Sequence, residues 1–284
     1  GEPVVGADGE EVIYAVKVIN RPQLLTVNLV NAILSEVTAL MDLQHSNIVA
    51  LRCKFCTNLL VHVVMECVGE RHMHDELIRR ENQCFTPQEA QEHMGTLTDA
   101  IAYIHHKGYV HRDLKPENIA WVDPVPPKYP LGKLVVLDFG LAQQCRPDEQ
   151  LRRPCGTVPF CSPQILGRNS YDGMKNDVWS LGVIAMECLV RPGILHECIQ
   201  IPEELCNAPS DELAALVADY FADPANIDAM LAFCPHGAVA DKAVQYAQAA
   251  LVNEEPQRAS AYDLLTQGWF NLQQGEDSKH RSEP

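Results

Sequence analysis

The sequence predicts an α+β protein in which a small sheet-bearing lobe precedes a larger helical one. Two observations carry that prediction: runs rich in β-branched and aromatic residues crowd into the stretch before residue 65, and from Ser210 onward the chain is Ala-rich with helical starts and stops. A third bounds it, since 284 residues suffice for one large domain or two small ones with a substantial buried core.

In chain order, Val12 to Ile19 reads as a strand that follows the turn signal Gly6-Ala7-Asp8-Gly9. From Thr26 to Asp42 the residues Val27, Val30, Ile33, Leu34, Val37, Leu40 and Met41 recur every three or four positions, which places them on one face of an amphipathic helix. Ile48 to Phe55 and Leu59 to Val64 are strand-like and parted by Thr57-Asn58. Beyond Gly69 the pattern turns helical. Thr86-Pro87-Gln88-Glu89 joins an N-cap Thr, a Pro at the first helical position and a Glu placed for a capping box, and this helix should run to about His106 and stop at Gly108.

Asp123 to Pro130 contains four prolines, each without a backbone donor, and predicts an exposed loop. Leu134 to Leu137 reads as a short buried strand and Val178 to Leu189 as a largely apolar, buried helix. Later helices should start at Ser210, Pro224, Val239 and Ser260, with breaks at Pro224, Pro235-His236-Gly237 and Pro256. The expected organisation is a lobe over 1–68, a helical lobe over 69–272 and a flexible tail over 273–284, where the sequence is polar without apolar periodicity.

Charge and composition exclude several classes. Twenty-two Lys and Arg against 38 Asp and Glu give −16 at pH 7, which repels a phosphate backbone or an anionic membrane, so nucleic acid is not an expected partner. No apolar run approaches the ~20 residues of a membrane span. The first residue is Gly and no apolar signal segment follows, so the expectation is a fragment without a signal peptide. Eleven cysteines, an odd number scattered through apolar stretches, predict reduced, buried thiols in a cytoplasmic protein. Cys53 and Cys56 have the spacing of a zinc pair, but residues i and i+3 of a strand point to opposite faces and no second pair follows. Cys155, beside Arg152 and Arg153, is the cysteine best suited to redox chemistry, with an inert thiol as the default.

The strongest signal is His111-Arg112-Asp113-Leu114-Lys115-Pro116-Glu117-Asn118, followed by Asp138-Phe139-Gly140 at the end of a predicted strand. Ala15-Val16-Lys17 lies on another strand, and Asp177-Val178-Trp179-Ser180-Leu181-Gly182 opens the buried helix. In this order they resemble the protein kinase domain, and the eight-residue string fits the template H-R-D-L-x-x-x-N at every fixed position. The resemblance runs from about residue 10 to about residue 272.

The resemblance implies a two-lobed protein-kinase-like fold that binds ATP and Mg²⁺ between its lobes and passes the γ-phosphate to a Ser or Thr hydroxyl of a protein. Such chemistry is largely alignment of a hydroxyl and neutralisation of phosphate oxygens. By resemblance Asp113 accepts the hydroxyl proton, Lys115 steadies the γ-phosphate, and Asn118 and Asp138 hold Mg²⁺. Lys17 contacts the α- and β-phosphates and pairs with Glu36. Met65 borders the adenine pocket, with Glu66, Cys67 and Val68 offering backbone hydrogen bonds. Lys115, together with Thr157 in contact with the base, indicates the Ser/Thr rather than the Tyr branch. Leu40, Leu51, His111 and Phe139 form a column across the lobes that rests on Asp177, and Glu70 and Glu117 near the peptide groove favour basic residues in the substrate.

Three departures from the family pattern carry expectations of their own. The glycine-rich loop over the phosphates would fall mostly before Gly1, so the expected lobe lacks its first two strands through truncation. Between Asp138-Phe139-Gly140 and Gly156 there is no Ser, Thr or Tyr, so Arg112 has no phosphate to meet; Asp148 and Glu149 are the available anions, and the expected activity is independent of phosphorylation there. Ser162-Pro163-Gln164 replaces Ala-Pro-Glu opposite Arg258, which removes a charge-assisted bond and predicts a looser contact. Residues 191–249 fit the pattern poorly. Two other classes stand beside the enzyme: a kinase-like scaffold with little transfer, and a small-molecule kinase on a related fold.

Overall fold

A computed structural model describes residues 13–21, 26–122, 132–146, 149–205 and 208–270. The turn at Gly6 to Gly9, the proline-rich stretch 123–130, Asp148 and the tail 273–284 lie outside the described residues.

The β-branched run forms β1 (Tyr14–Asn20), then α1 (Val27–Asp42), β2 (Leu51–Cys56) and β3 (Leu60–Glu66). Both outer strands pair antiparallel with β3 in the order β1-β3-β2, and the register sets Lys17 opposite Val63 and Val63 opposite Lys54. α1 buries Glu36, Val37, Ala39 and Leu40, whereas Val30, Leu34 and Met41 stay exposed. Among the described residues, the apolar face read from the sequence therefore packs inward only along Ile33, Val37 and Leu40. Glu36 rather than Leu34 joins that inward stripe.

Cys53, Cys56 and Cys67 are exposed, which corrects the expectation of buried thiols. Two of them lie on β2, a strand at the sheet edge whose residues after Leu51 are all exposed. Cys84, Cys145, Cys161, Cys188 and Cys234 are buried.

The large lobe begins with β4 (Arg71–His72) and α2 (Met73–Arg79). α3 (Pro87–His106) follows behind the capping box foreseen at Thr86 and Glu89, and the chain leaves it through Gly108 at φ +74°. Burial opposes the charge on Glu89, yet hydrogen bonds from Arg80 and Thr86 hold its carboxyl down to about 2. Next come β5 (Tyr109–Val110), β6 (Ile119–Val122), β7 (Lys133–Val136), β8 (Gln143–Gln144), β9 (Gln150–Leu151), α4 (Pro163–Leu166) and β10 (Tyr171–Asp172). β6 and β7 form a ribbon that ends beside Asn118 and Leu137, where the Leu137 amide donates to the Asn118 carbonyl at 2.8 Å.

α5 (Gly173–Leu189) is the axis of this lobe, capped by Asp172, whose side chain accepts from the amides of Met174 and Lys175. Nearly all of its residues are buried, so it is enclosed on every side. α6 (Ile194–Ile199), α7 (Asp211–Phe221), α8 (Ala225–Leu231), α9 (Asp241–Ala250) and α10 (Ala261–Thr266) complete the described chain. α9 packs against α5 at Gly182, where a Cβ would stand 2.7 Å from Leu251 Cγ, so only glycine permits this approach. The predicted starts at Ser210, Pro224 and Ser260 are the N-caps of α7, α8 and α10, and α9 starts two residues beyond Val239.

The turn after α1 is tied to the large lobe. The Val136 amide donates to the Asn47 carbonyl at 2.8 Å, the Val49 amide to the Val136 carbonyl at 3.0 Å, and Asn47 Nδ2 to the Leu134 carbonyl at 2.7 Å.

Candidate active site

β1 carries Lys17 toward α1, where its Nζ meets Glu36 Oε1 at 2.6 Å and Oε2 at 2.9 Å. Glu36 is buried at 5% exposure while the Lys17 side chain is 41% exposed, so the carboxylate depends on the ammonium more than the reverse.

Across the cleft, Asp177 at the start of α5 is fully buried and organises the loop that begins at His111. Its Oδ2 accepts from the His111 amide at 2.8 Å and meets His105 Nε2 at 2.9 Å, and its Oδ1 accepts from the Arg112 amide at 2.8 Å. Arg112 has φ +69°, a left-handed kink that a non-glycine residue adopts only under tertiary restraint. His111 Nε2 lies 2.9 Å from the Leu137 carbonyl while Nδ1 accepts from the Asp113 amide, which fixes the ring proton on Nε2. The His111 ring meets Phe139 edge-on at 5.0 Å. Leu40 lines the cleft and Leu51 is half-buried against the core, so the expected column is contiguous at its lower end.

Beyond the kink, Asp113 is enclosed by its neighbours. Thr157 Oγ1 donates to Oδ1 at 2.8 Å and itself accepts from Lys115 Nζ at 2.8 Å, while Lys115 Nζ stands 3.1 Å from Oδ2. Asn118 sits in a short helical turn started by Pro116, and its Nδ2 donates to the Asp113 carbonyl at 2.8 Å and to Oδ2 at 3.2 Å. With the amide nitrogen so engaged, Asn118 Oδ1 is the atom left for a cation. Asp138 also has positive φ, +54°, and its Oδ1 accepts from the Gly140 amide at 3.1 Å. A Cβ placed on Gly140 would lie 3.0 Å from Asp138 Oδ1, 3.7 Å from Lys17 Nζ and 3.9 Å from Glu36 Oε2, so these three groups converge on one small space.

The cleft measures about 390 Å³, within the range of ligand pockets, and is lined by Ala15, Lys17, Leu40, Val49, Met65, Glu66, Val68, Leu137 and Asp138 among others. Cys67 is not among its walls. Glu66 is partly committed elsewhere, because its amide donates to the Ala50 carbonyl at 2.9 Å and its Oε1 accepts from the Ala50 amide at 3.1 Å.

Gln164 does more than a carboxylate would at that place. Arg258 is 1% exposed; its Nη2 donates to Gln164 Oε1 at 3.1 Å, its Nε to the Val252 carbonyl at 2.8 Å and its Nη1 to the Lys175 carbonyl at 3.0 Å, with Trp179 stacked 5.0 Å away. Gln164 Nε2 in turn donates to the Asn253 carbonyl at 2.6 Å. The contact expected to loosen is thus closed by carbonyls and an aromatic face, although burial still pushes Arg258 down to about 10.

Sequence reasoning passed over His105, Tyr171 and Glu187. Glu187 is buried, accepts from the Gly193 amide at 2.9 Å, and burial raises its carboxyl to about 7. None of the three belongs to a contiguous motif; their partners lie elsewhere in the chain.

Comparison with known proteins follows the same lines. Residues 5–270 match the model of the protein kinase domain. The chain is 37% identical to sperm motility kinase 2B of Mus musculus over 154 residues, 54% of this chain and 30% of that protein. It is 33% identical to CBL-interacting protein kinase 21 of Oryza sativa subsp. japonica over 174 residues, 60% of this chain and 31% of that one. With calcium/calmodulin-dependent protein kinase type IV of Mus musculus the identity is 32% over 176 residues, 62% of this chain and 35% of the relative. The aligned part spans about a third of the length of these curated relatives.

Proposed function

The chain belongs to the protein kinase domain family, and from that premise we propose that it is a Ser/Thr protein kinase moving the γ-phosphoryl group of ATP to a protein hydroxyl. The observation that carries this reading is the closed network of Asp113, Lys115, Thr157 and Asn118, together with a formed Lys17–Glu36 pair that converges with Asp138.

Asp113 has one carboxylate held by Thr157, Asn118 and Lys115, so its rotamer is set before an acceptor arrives, and it takes the hydrogen bond and then the proton of the acceptor hydroxyl. Lys115 lies between Asp113 and Thr157 and steadies the charge of the transferred group. Lys17, aimed by Glu36, orients the α- and β-phosphates. Leu40, Val49, Met65, Val68 and Leu137 give the cleft apolar walls suited to a purine, with Glu66 and Val68 along its edge.

The donor set fits Mg²⁺: Asn118 Oδ1 and the Asp138 carboxylate are hard oxygen ligands, too few for an all-protein cage and right in number for an ion shared with phosphates and water. When bound, such an ion neutralises phosphate oxygens. Glu117, exposed beside His74, and the net charge of −16 support a substrate with basic residues near its acceptor. Ten free thiols among the described residues support a reducing compartment, the cytoplasm.

The test is transfer of radiolabelled phosphate from ATP to a Ser/Thr peptide library. Asp113→Asn should lower kcat by about 10²- to 10⁴-fold with an unchanged melting temperature. Equal labelling by the variant, or none by either protein, rejects the proposal.

A further inference from the structure

Arg112 adjoins the proposed base, and in a chain with no Ser, Thr or Tyr from Leu141 to Cys155 its guanidinium needs a partner other than a phosphate. Its Nε donates to the Leu141 carbonyl at 2.7 Å, and its positive charge lies beside the Tyr171 phenol.

Tyr171 is fully buried at the head of α5. Its hydroxyl donates to the Arg153 carbonyl at 3.1 Å, and Cys155 Sγ lies 3.7 Å from the same oxygen. One phenol at the head of α5, beside Arg112, therefore holds the backbone at Arg153 and contacts the side chain of Cys155, two residues before Thr157. Burial raises the phenol far above its ordinary range, so the proton it donates is retained.

Around that hydroxyl the segment is also stitched by backbone. Tyr171 pairs with Leu151 and Asp172 with Gln150, and the Asp172 amide donates to Glu255 Oε1 at 3.0 Å. Leu151 is buried against the start of α5, where a Cβ on Gly173 would come within 2.9 Å of it.

We propose that the Tyr171 hydroxyl is a positioning group that clasps residues 149–157 to the head of α5 beside Arg112, so that phosphoryl transfer proceeds without covalent modification of that segment. The proposal rests on the kinase reading above and names the regulation of its site.

The whole chain, treated with phosphatase and shown by mass spectrometry to carry no phosphate, is compared with Tyr171→Phe, which keeps the buried ring and removes one oxygen. Two readings are taken: kcat and KM for transfer, and the rate at which trypsin cuts the exposed Arg152–Arg153 bond. The variant should lose about tenfold in kcat with little change in KM for ATP, as expected of a misplaced rather than a missing group, and should be cut several-fold faster. Its melting temperature should stay within about 4 °C of the wild type, the shift of roughly 1 kcal/mol or less. If kcat or the cleavage rate is unchanged, if the melting temperature collapses, or if the wild type transfers only after phosphate is added between residues 149 and 172, the proposal is overturned. Should the wild type transfer nothing, the kinase reading fails, and the cleavage comparison by itself then decides the clasp: faster cutting supports it and equal rates reject it.

Discussion

Lys17 belongs to the small lobe and Asp113 to the large one, and the two lobes hold them differently. Asp113 is gripped by Thr157, Asn118 and Lys115, and the loop that carries it hangs from Asp177 by two backbone amides, with that carboxylate wholly buried in α5. Lys17 stands on a strand whose neighbours Val16 and Val18 are half exposed, and a single carboxylate, Glu36, aims it. The difference teaches where the molecule is redundant and where it is adjustable. In the large lobe a lost contact leaves others in place; in the small lobe one ion pair decides whether the ammonium points at the cleft.

The largest effect should come from removing the anchor of the redundant side. Asp177→Ala leaves two buried amides and His105 without their acceptor, and should cost about 3–5 kcal/mol in urea unfolding, with activity lost through unfolding rather than chemistry. A cost below about 1 kcal/mol would show that the loop is held by something other than this carboxylate.

The adjustable side should behave in the opposite way. Glu36→Gln keeps the shape and removes the charge, so kcat/KM should fall by about 10- to 100-fold while stability changes by less than about 1 kcal/mol, since Lys17 can turn to water. Both are read from steady-state kinetics beside a denaturation curve. A large loss of stability with little kinetic effect would erase the contrast between the lobes.

The smallest effect is a pH dependence confined to the large lobe. The folded carboxyl of Glu187 is raised to about 7 from an ordinary 4.5, so it favours folding at low pH and that contribution fades as pH rises through 7. Glu187→Gln, which still accepts from the Gly193 amide, should match the wild type near pH 4.5 and exceed it increasingly toward pH 8. His93 works in the reverse direction: burial lowers it to about 4, so its contribution is full above pH 6.5 and lost toward pH 4. A stability difference between wild type and Glu187→Gln that does not vary with pH would remove Glu187 from the account.

Much of this fold was legible because the signals are local. The capping box at Thr86 and Glu89, the N-caps Ser210 and Ser260, and the contiguous run from His111 to Asn118 each lie within one or two helical turns of chain. What escaped is set by tertiary pairing. Two-residue strands such as Gln150–Leu151 have no periodicity to detect, and the partnership of His105 with Asp177 spans 72 residues. The exposed Val30, Leu34 and Met41 of α1 have the same origin, since the apolar period is wider than the stripe the core takes and Glu36 occupies part of that stripe to meet Lys17. Cys53 and Cys56 looked like interior thiols because composition says nothing of an edge strand.

The bonds between Asn47 and β7 make the foot of α1 a fulcrum. At 1.5 Å per residue, Glu36 sits roughly 9 Å along the lever from Asp42 and Val27 roughly 22 Å, so a tilt of about 10° displaces the carboxylate by roughly 1.5 Å. That swing suffices to part Glu36 from Lys17, and it leaves the pivot itself untouched.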